Sequence, residues 1–466
     1  MAHAAHASLS AAPSAVLVRS PYDGGPVGEV AVASADDIAR AVMRAHHARQ
    51  AFRSSTPFQR RSLLEALAAQ IATHAEELAQ TISAEVGKTI REARNEVRRA
   101  QNTLRLSGDA ATFLDGEVLH CGIVSGGVDR RATVTYEPVG VIGAITPFNY
   151  PLNLLCHKLG PAIAAGNAVV AKPSPKAPLA AARLADLAIE AGFPDGLFQV
   201  VHGAAEAALA LARAPIDLLS FTGGPAAGLA LKNASGLVRC LMELGGNDPL
   251  FVLPDADIER AVATTVAHRF EIAGQSCAAV KRLYLHRDVE ATFTERLLAA
   301  VAAVRAGDPA SEITDMGPLI DEDAARLVER RLQATIASGA KLLAGGGRAG
   351  TLVQPTVVAG VAPDAPIIAD ETFGPVIAIR SFERPEQAIA EVNAGAYGLQ
   401  AGIFTNDHAL IRQFSRDLAV GGVMVNEGPD FRAEHVPFGG IKSSGLGREG
   451  VRIAIREMSE TRVVID

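Results

Sequence analysis

Cysteine is scarce in this chain: Cys121, Cys156, Cys240 and Cys277 lie far apart, with no CxxC pair among them. Neither a disulfide framework nor a zinc site is suggested, and a reducing cytoplasm is the compartment that fits. Long apolar runs are missing as well. No stretch approaches the roughly 18 uninterrupted apolar residues of a membrane span, and the N-terminal MAHAAHASLSAAPSA has neither a basic start nor a continuous apolar segment. Residues 1–14 read as a short disordered tail on a soluble protein. Basic excess is also absent: the formal net charge is −7 and the arginines are scattered, which leaves no footprint for a nucleic-acid backbone.

What is present is a globular composition, 48% hydrophobic and 20% charged, over 466 residues. That length is too great for one ordinary core, so two or more lobes are expected. Ser34 and Asp37 make a capping-box-like start to a helix, and helical patterns dominate up to about Asp115. Between Pro57 and Val86 apolar residues recur at three- and four-residue spacing, the mark of packed amphipathic helices.

From Val139 the texture changes to short apolar runs, VGVIGAI, NAVVAK, LFQVV and LLSFTG, separated by helical patterns. Successive βαβ units of a parallel sheet look like this, and their ligands lie beyond the carboxyl ends of the strands. Those ends carry TPFNYP with Asn149, KPSPK with Lys172, and TGGPAAG with Gly223, Gly224 and Gly228. The spacing of the TGGPAAG loop is not GxGxxG, so the usual fingerprint is absent there, and the glycine loop alone could be only a helix start. A second α/β pattern begins near Asp248, and the terminal SETRVVID reads as an exposed strand in need of a partner.

Three residues could carry chemistry together. Cys277 sits among Gly274, Gln275, Ser276, Ala278 and Ala279, small or polar neighbours that leave a thiolate room to attack a substrate. Cys156 and Cys240 stand among bulky residues and read as inert. Asn149, at a strand end, could donate to an oxyanion. Glu243, in the apolar, glycine-rich MELGGN, has a setting that would raise a carboxylate toward the working range of a base. Singly, each has a bland reading: a buried thiol, a turn residue, a surface charge. Their combination lifts all three.

These segments resemble the aldehyde dehydrogenase superfamily from about Leu17 to Asp466. The motifs stand in order as PVGVIGAITPFNYPL (138–152), VVAKPS (169–174), FTGGPAAG (221–228), MELGGN (242–247), GQSC (274–277), ETFGPV (371–376) and PFGGIKSSGLG (437–447). Glu243 and Cys277 are 34 positions apart, as in that family. The resemblance implies an α/β fold with a Rossmann-like dinucleotide-binding domain (15–118 and 137–249), an α/β catalytic domain (250–441) and a small β oligomerisation arm (119–136 and 455–466).

It further implies that Cys277 attacks an aldehyde, that Asn149 and the Cys277 amide hold the oxyanion, and that Glu243 activates the deacylating water. The cofactor, NAD or NADP, would lie on Thr146, Pro147, Lys172, Ser174, Pro175, Lys176, Gly203, Phe221, Thr222, Gly223, Gly224, Leu244 and Gly245. Lys172 would hold the adenosine ribose, and Glu371 with Phe373 would position the nicotinamide end. Two departures bear on this. Gly224 stands where many members have a serine, and Pro175 stands where NAD-preferring members often place a glutamate, with Lys176 beside it. NADP is therefore expected to be accepted.

The surroundings of Cys277 and KPSPKAPL look most like the lactaldehyde, phosphonoacetaldehyde and semialdehyde branch, whose substrates are short and often anionic. Phe148 would line the substrate tunnel. Arg105, His157, Arg432 and His435 could receive an anion, although Arg105 could equally be a solvated helix charge, His157 a packing residue and Arg432 an interface residue. A homodimer or homotetramer is expected. Two other readings remain: a coenzyme A-acylating enzyme, against which Glu243 argues, and a catalytically silent binding protein, against which the complete set of residues argues.

Overall fold

The computed structural model of the chain describes residues 15–466; the segment read as a tail lies outside them. Helices at Ala35–Phe52 and Pro57–Thr73 both begin with capping boxes, Ser34 with Asp37 and Thr56 with Gln59. The apolar periodicity that continues to Val86 resolves into two helices, broken at His74. Helix α1 (Ile90–Ala110) follows, with its own Thr89–Glu92 capping box.

The four apolar runs form strands β1 (Val141–Ile145), β2 (Ala168–Lys172), β3 (Phe198–Val200) and β4 (Leu218–Thr222), and β5 (Arg239–Glu243) completes the parallel set. Their order is β5-β4-β1-β2-β3, with Gly445–Leu446 added antiparallel on the β5 edge. Chain direction across the sheet therefore reverses beside β1, and a crevice opens beyond the carboxyl ends of β1 and β4, the usual place for a ligand in such a sheet. β1, β2 and β4 are buried at every position, because helices cover both faces. Helix α2 (Asn153–Ala165), buried along its whole length, leads from β1 to β2, and helix α3 (Pro225–Ser235) follows β4.

A second, seven-stranded sheet comprises β6 (Pro249–Val252), β7 (Arg282–His286), β8 (Lys341–Ala344), β9 (Thr356–Ala359), β10 (Val376–Phe382), β11 (Gln400–Phe404) and β12 (Gly422–Val425). Its order is β8-β9-β10-β7-β6-β11-β12, parallel except for β8. Each sheet has its own apolar core; that of the first draws in Val451, Ile455 and Met458 from the far end of the chain. The strand Ser459–Ile465 finds its partner in Arg131–Pro138, antiparallel along its full length, and Glu117–His120 makes the third strand. That small sheet leaves Leu119, Val463, Val464 and Ile465 exposed.

Candidate active site

A cavity of about 360 Å³ lies between the two large sheets. Its wall includes Cys277, Asn149 and Glu243, brought from the loop before β7, the loop after β1 and the end of β5. Pro147, Phe148, Thr222, Gly223, Gly224, Leu244, Gly245, Glu371 and Phe373 share it. The ELGGN loop abuts Cys277 so closely that a Cβ at Gly246 would fall 2.5 Å from its carbonyl oxygen. Only glycine fits there.

The chain reaches Cys277 through a left-handed turn. Ile272 (φ 46°), Ala273 (φ 52°) and Gly274 (φ 73°) follow one another in that conformation, and for the first two it costs of order 1–3 kcal/mol each. Surrounding bonds hold the turn: the Glu92 carboxylate accepts from Ile272 N at 2.9 Å, and Gln275 Nε2 donates to Ile272 O at 3.1 Å. Asn149 Nδ2 donates to Gln275 O at 2.9 Å, which fixes the amide beside the nucleophile and leaves it a second N–H. Burial pushes the Cys277 thiol well above its ordinary range, opposed by the ammonium of Lys281. Lys281 donates to the carbonyls of Ser276 and Cys277 at 2.8 and 2.5 Å. The resting sulfur is therefore a thiol.

Glu243 lies against Gly439, where a Cβ would come 2.6 Å from its Oε1, and its buried Oε2 has no hydrogen-bond partner. Burial, reinforced by the negative charge of Glu449, raises its carboxyl well above the usual carboxylate range. Glu449 goes the other way: burial would raise it, but Lys158 and Arg432, at 2.9 Å each, outweigh that and keep it ionised. Two neighbouring carboxyls are thus shifted in opposite directions, Glu243 up and Glu449 down, the pattern that separates an acid–base group from a fixed charge.

The remaining wall fits a dinucleotide. Gly224 is the N-cap of α3 and offers no side-chain cap, so the first amides of that helix stay available to a pyrophosphate. Lys172 is 4% exposed; its ammonium spends one hydrogen on Gly203 O at 3.0 Å, and burial pulls it down to about 8. At the other end Glu371 accepts from Gly246 N at 3.0 Å and packs where a Cβ at Gly245 would stand, 2.1 Å from its Oε2. Phe373 meets Phe148 edge to face at 6.5 Å. Thr146 is buried with a free hydroxyl, Phe221 lies beneath Gly223, and Ser174 Oγ accepts from Lys176 N. Pro175 and Lys176 stand at the surface side of this region, where Lys176 pairs with Asp321.

Comparison with known proteins agrees with this geometry. A model of the "Aldehyde dehydrogenase family" matches residues 9–464. The chain belongs to the aldehyde dehydrogenase family. It is 39% identical to a 3-sulfolactaldehyde dehydrogenase of Priestia aryabhattai over 96% of this chain and 94% of that one. To a sulfoacetaldehyde dehydrogenase of Neptuniibacter caesariensis it is 38% identical, over 96% and 98% respectively. The crystal structure of a glyceraldehyde-3-phosphate dehydrogenase from Methanocaldococcus jannaschii complexed with NADP superposes with a TM-score of 0.93 at 35% identity, covering 97% of this chain and 98% of that one. This aldehyde dehydrogenase is thus an oxidoreductase using NAD or NADP on the fold expected from its motifs.

The substrate end of this aldehyde dehydrogenase departs from the expectation. Arg105 is exposed on α1 and does not line the cavity; Arg99, on the same helix, does. Six residues carry the chain about 240° round a helix, so the two arginines face different ways. His435 is likewise exposed and outside the wall. His157 is buried behind it, bonded to Glu434 Oε2 at 3.2 Å, and burial pulls the imidazole down to about 4, so it is a neutral support. Arg432 does line the cavity, with its guanidinium 4.3 Å from the Phe438 ring centroid.

Arg99 donates to Glu434 at 2.8 Å through Nε and at 3.4 Å through Nη2, leaving Nη1 without a protein acceptor among the described residues. Asp430, on the same wall, accepts from Ser276 Oγ at 2.9 Å. Arg99, Asp430, Phe438, Glu449 and Lys158 were not singled out from sequence. Phe438 lies inside PFGGIKSSGLG and Glu449 just past its glycines; the others had no local signal.

Proposed function

We propose that this enzyme oxidises a short aldehyde bearing an anionic or polar group to the carboxylic acid, with Cys277, Asn149 and Glu243 as its catalytic residues. The observation that carries the substrate reading is a small cavity with Cys277 on one wall and two guanidinium groups, Arg99 and Arg432, on another. Arginine recognises sulfonate, phosphonate and carboxylate oxygens through directed, charge-assisted bonds. The aldehydes for which the relatives are named, 3-sulfolactaldehyde and sulfoacetaldehyde, have that chemistry.

In this reading the Cys277 thiol gives up its proton to solvent as its sulfur adds to the aldehyde carbon, and the adduct oxyanion takes hydrogen bonds from Asn149 Nδ2 and the Cys277 amide. Loss of hydride from that carbon to the nicotinamide is the step whose chemistry the cofactor supplies. A thioester on Cys277 remains. Glu243, ionised, takes a proton from water as the oxygen adds to the thioester carbon; the thiolate leaves and recovers a proton. The cofactor is held by the α3 amides, Lys172, Glu371 and Phe373. Pro175 itself brings no carboxylate to the position where NAD-preferring members often have one, which favours acceptance of NADP, although Asp321 pairs with Lys176 beside it. The exposed apolar residues of the small sheet serve assembly into a homodimer or homotetramer, and the enzyme works in the cytoplasm.

The test is a panel of paired aldehydes of equal length, anionic and neutral, assayed with NAD and with NADP, with and without coenzyme A. The expected result is a higher kcat/KM for the anionic partner, NADP turnover, and free acid without coenzyme A. Equal efficiency within each pair overturns the substrate reading, and a requirement for coenzyme A overturns hydrolysis.

A further inference from the structure

Helix α1 contributes Arg99 to the cavity, but two of its glutamates do something else. Glu92 and Glu96 stand one turn apart, and each bonds to the backbone of a different catalytic loop. Glu92 Oε1 accepts from Ile272 N at 2.9 Å, at the entry of the left-handed turn leading to Cys277, while its Oε2 accepts from Thr89 N at 2.9 Å. Glu96 Oε1 accepts from Leu152 N at 2.9 Å and Asn153 N at 3.1 Å, where the Asn149 loop runs into α2. Its Oε2 receives Lys88 Nζ at 2.7 Å, and that ammonium sits 3.6 Å from the ring centroid of Tyr150, the residue after Asn149.

One rigid helix turn thereby grips the nucleophile loop with one carboxylate and the oxyanion loop with the next. We propose that Glu92 and Glu96 are positioning residues that set the spacing of the Cys277 sulfur and the Asn149 amide. The route through Glu92 is direct: Ile272 and Ala273 hold a conformation their side chains disfavour, and the Glu92 acceptor is one of the contacts that over-determine it. Withdraw that acceptor and the turn is free to relax, carrying Cys277, five residues on, away from the amide. Neither glutamate lines the cavity. The inference rests on Cys277 and Asn149 acting as proposed.

Glu92→Asp keeps a helix-capping carboxylate but is one methylene too short to reach Ile272. It should lower kcat about 10- to 100-fold, the scale of a misplacement near 1 Å, with KM within about threefold. The alkylation rate of Cys277 by iodoacetamide, followed by mass spectrometry on its own peptide, should change with it. Because that readout needs no substrate, it stands or falls apart from the catalytic assignment. Glu96→Asp should lower kcat while leaving the alkylation rate as in the parent, since it holds the other loop.

Thr89→Ala, which removes the cap of the same helix, should lower the melting temperature and leave kcat within about twofold. Ala273→Gly added to Glu92→Asp should recover part of kcat by removing the backbone conflict. A folded Glu92→Asp enzyme with parental kcat and alkylation rate overturns the proposal. So does a Thr89→Ala enzyme that loses as much kcat, since the effect would then be helix stability. Should Glu92→Asp fail to fold, Glu92→Met, of similar length but with no acceptor for Ile272 N, is read by the same two assays and the same criteria.

Discussion

The two ends of the cavity are built differently. At the chemical end, burial raises both the Cys277 thiol and the Glu243 carboxyl, and backbone contacts at Gly246 and Gly439 leave them no latitude. At the substrate end, Arg99, Arg432, Glu434 and Glu449 are charged, mutually paired and carried on long side chains. The chemical end needs positions fixed to a fraction of an ångström, which backbone geometry supplies; the substrate end needs charge of the right sign, which several side-chain arrangements can supply. Reactivity and selectivity are therefore separable at Arg99, but they meet at the Arg432–Glu449 pair, whose charges act on the Glu243 carboxyl.

The largest break in that contrast is loss of the nucleophile. Cys277→Ala should abolish oxidation, a fall of ~10⁴-fold or more in kcat/KM, while leaving cofactor binding measurable by fluorescence titration.

Next comes Glu243→Gln, with a fall of roughly 10²–10⁴-fold in kcat and an acyl-enzyme that accumulates and is visible in the intact mass. In the parent enzyme the base form of Glu243 is needed, and its carboxyl is raised. Deacylation should therefore speed up as pH rises through a value well above the ordinary carboxylate range. The Gln variant should lose that limb; a profile unchanged by the substitution would assign the limb elsewhere.

Asn149→Ala should cost roughly 10²–10³-fold in kcat with little change in KM, the signature of a contact made in the transition state. A KM effect alone would move Asn149 to the substrate end.

At that end the losses should be smaller and selective. Arg99→Ala removes a charge-assisted bond of about 1.5–3 kcal/mol, or ~10- to 100-fold in KM for an anionic aldehyde, with a neutral aldehyde of similar length much less affected, whereas Arg432→Ala also strips Glu449 of a partner beside Glu243 and should lower kcat with both aldehydes. Arg105→Ala, on the exposed side of the same helix, should change neither. A clear KM effect at Arg105 would mean that the substrate approaches over that face.

The same division explains what could be read without coordinates. The helix start at Ser34, the strands of the first sheet and the loops beyond them are set by local patterns, and each was legible. Cys277 and Glu243 stand in segments whose glycines are demanded by close contact, and Asn149 stands just past a buried strand, so their motifs are visible along the chain. Arg99 was missed because the phase of α1 against the cavity is a tertiary property: the helix was identified, but the wrong arginine on it. Asp430 lies beyond β12 in a stretch without regular structure, and no periodicity points it at Ser276. Glu92 and Glu96 looked like ordinary helix charges, since their partners lie 180 and 56 positions away.

The protonated resting state of Cys277 also bears on how long the enzyme survives. Peroxide attacks thiolates far faster than thiols, so a sulfur kept protonated by burial is a poor target for oxidative inactivation. An idle molecule thus keeps its one indispensable sulfur in reserve, and exposure to oxidants is confined to the moments when the sulfur is ionised for work.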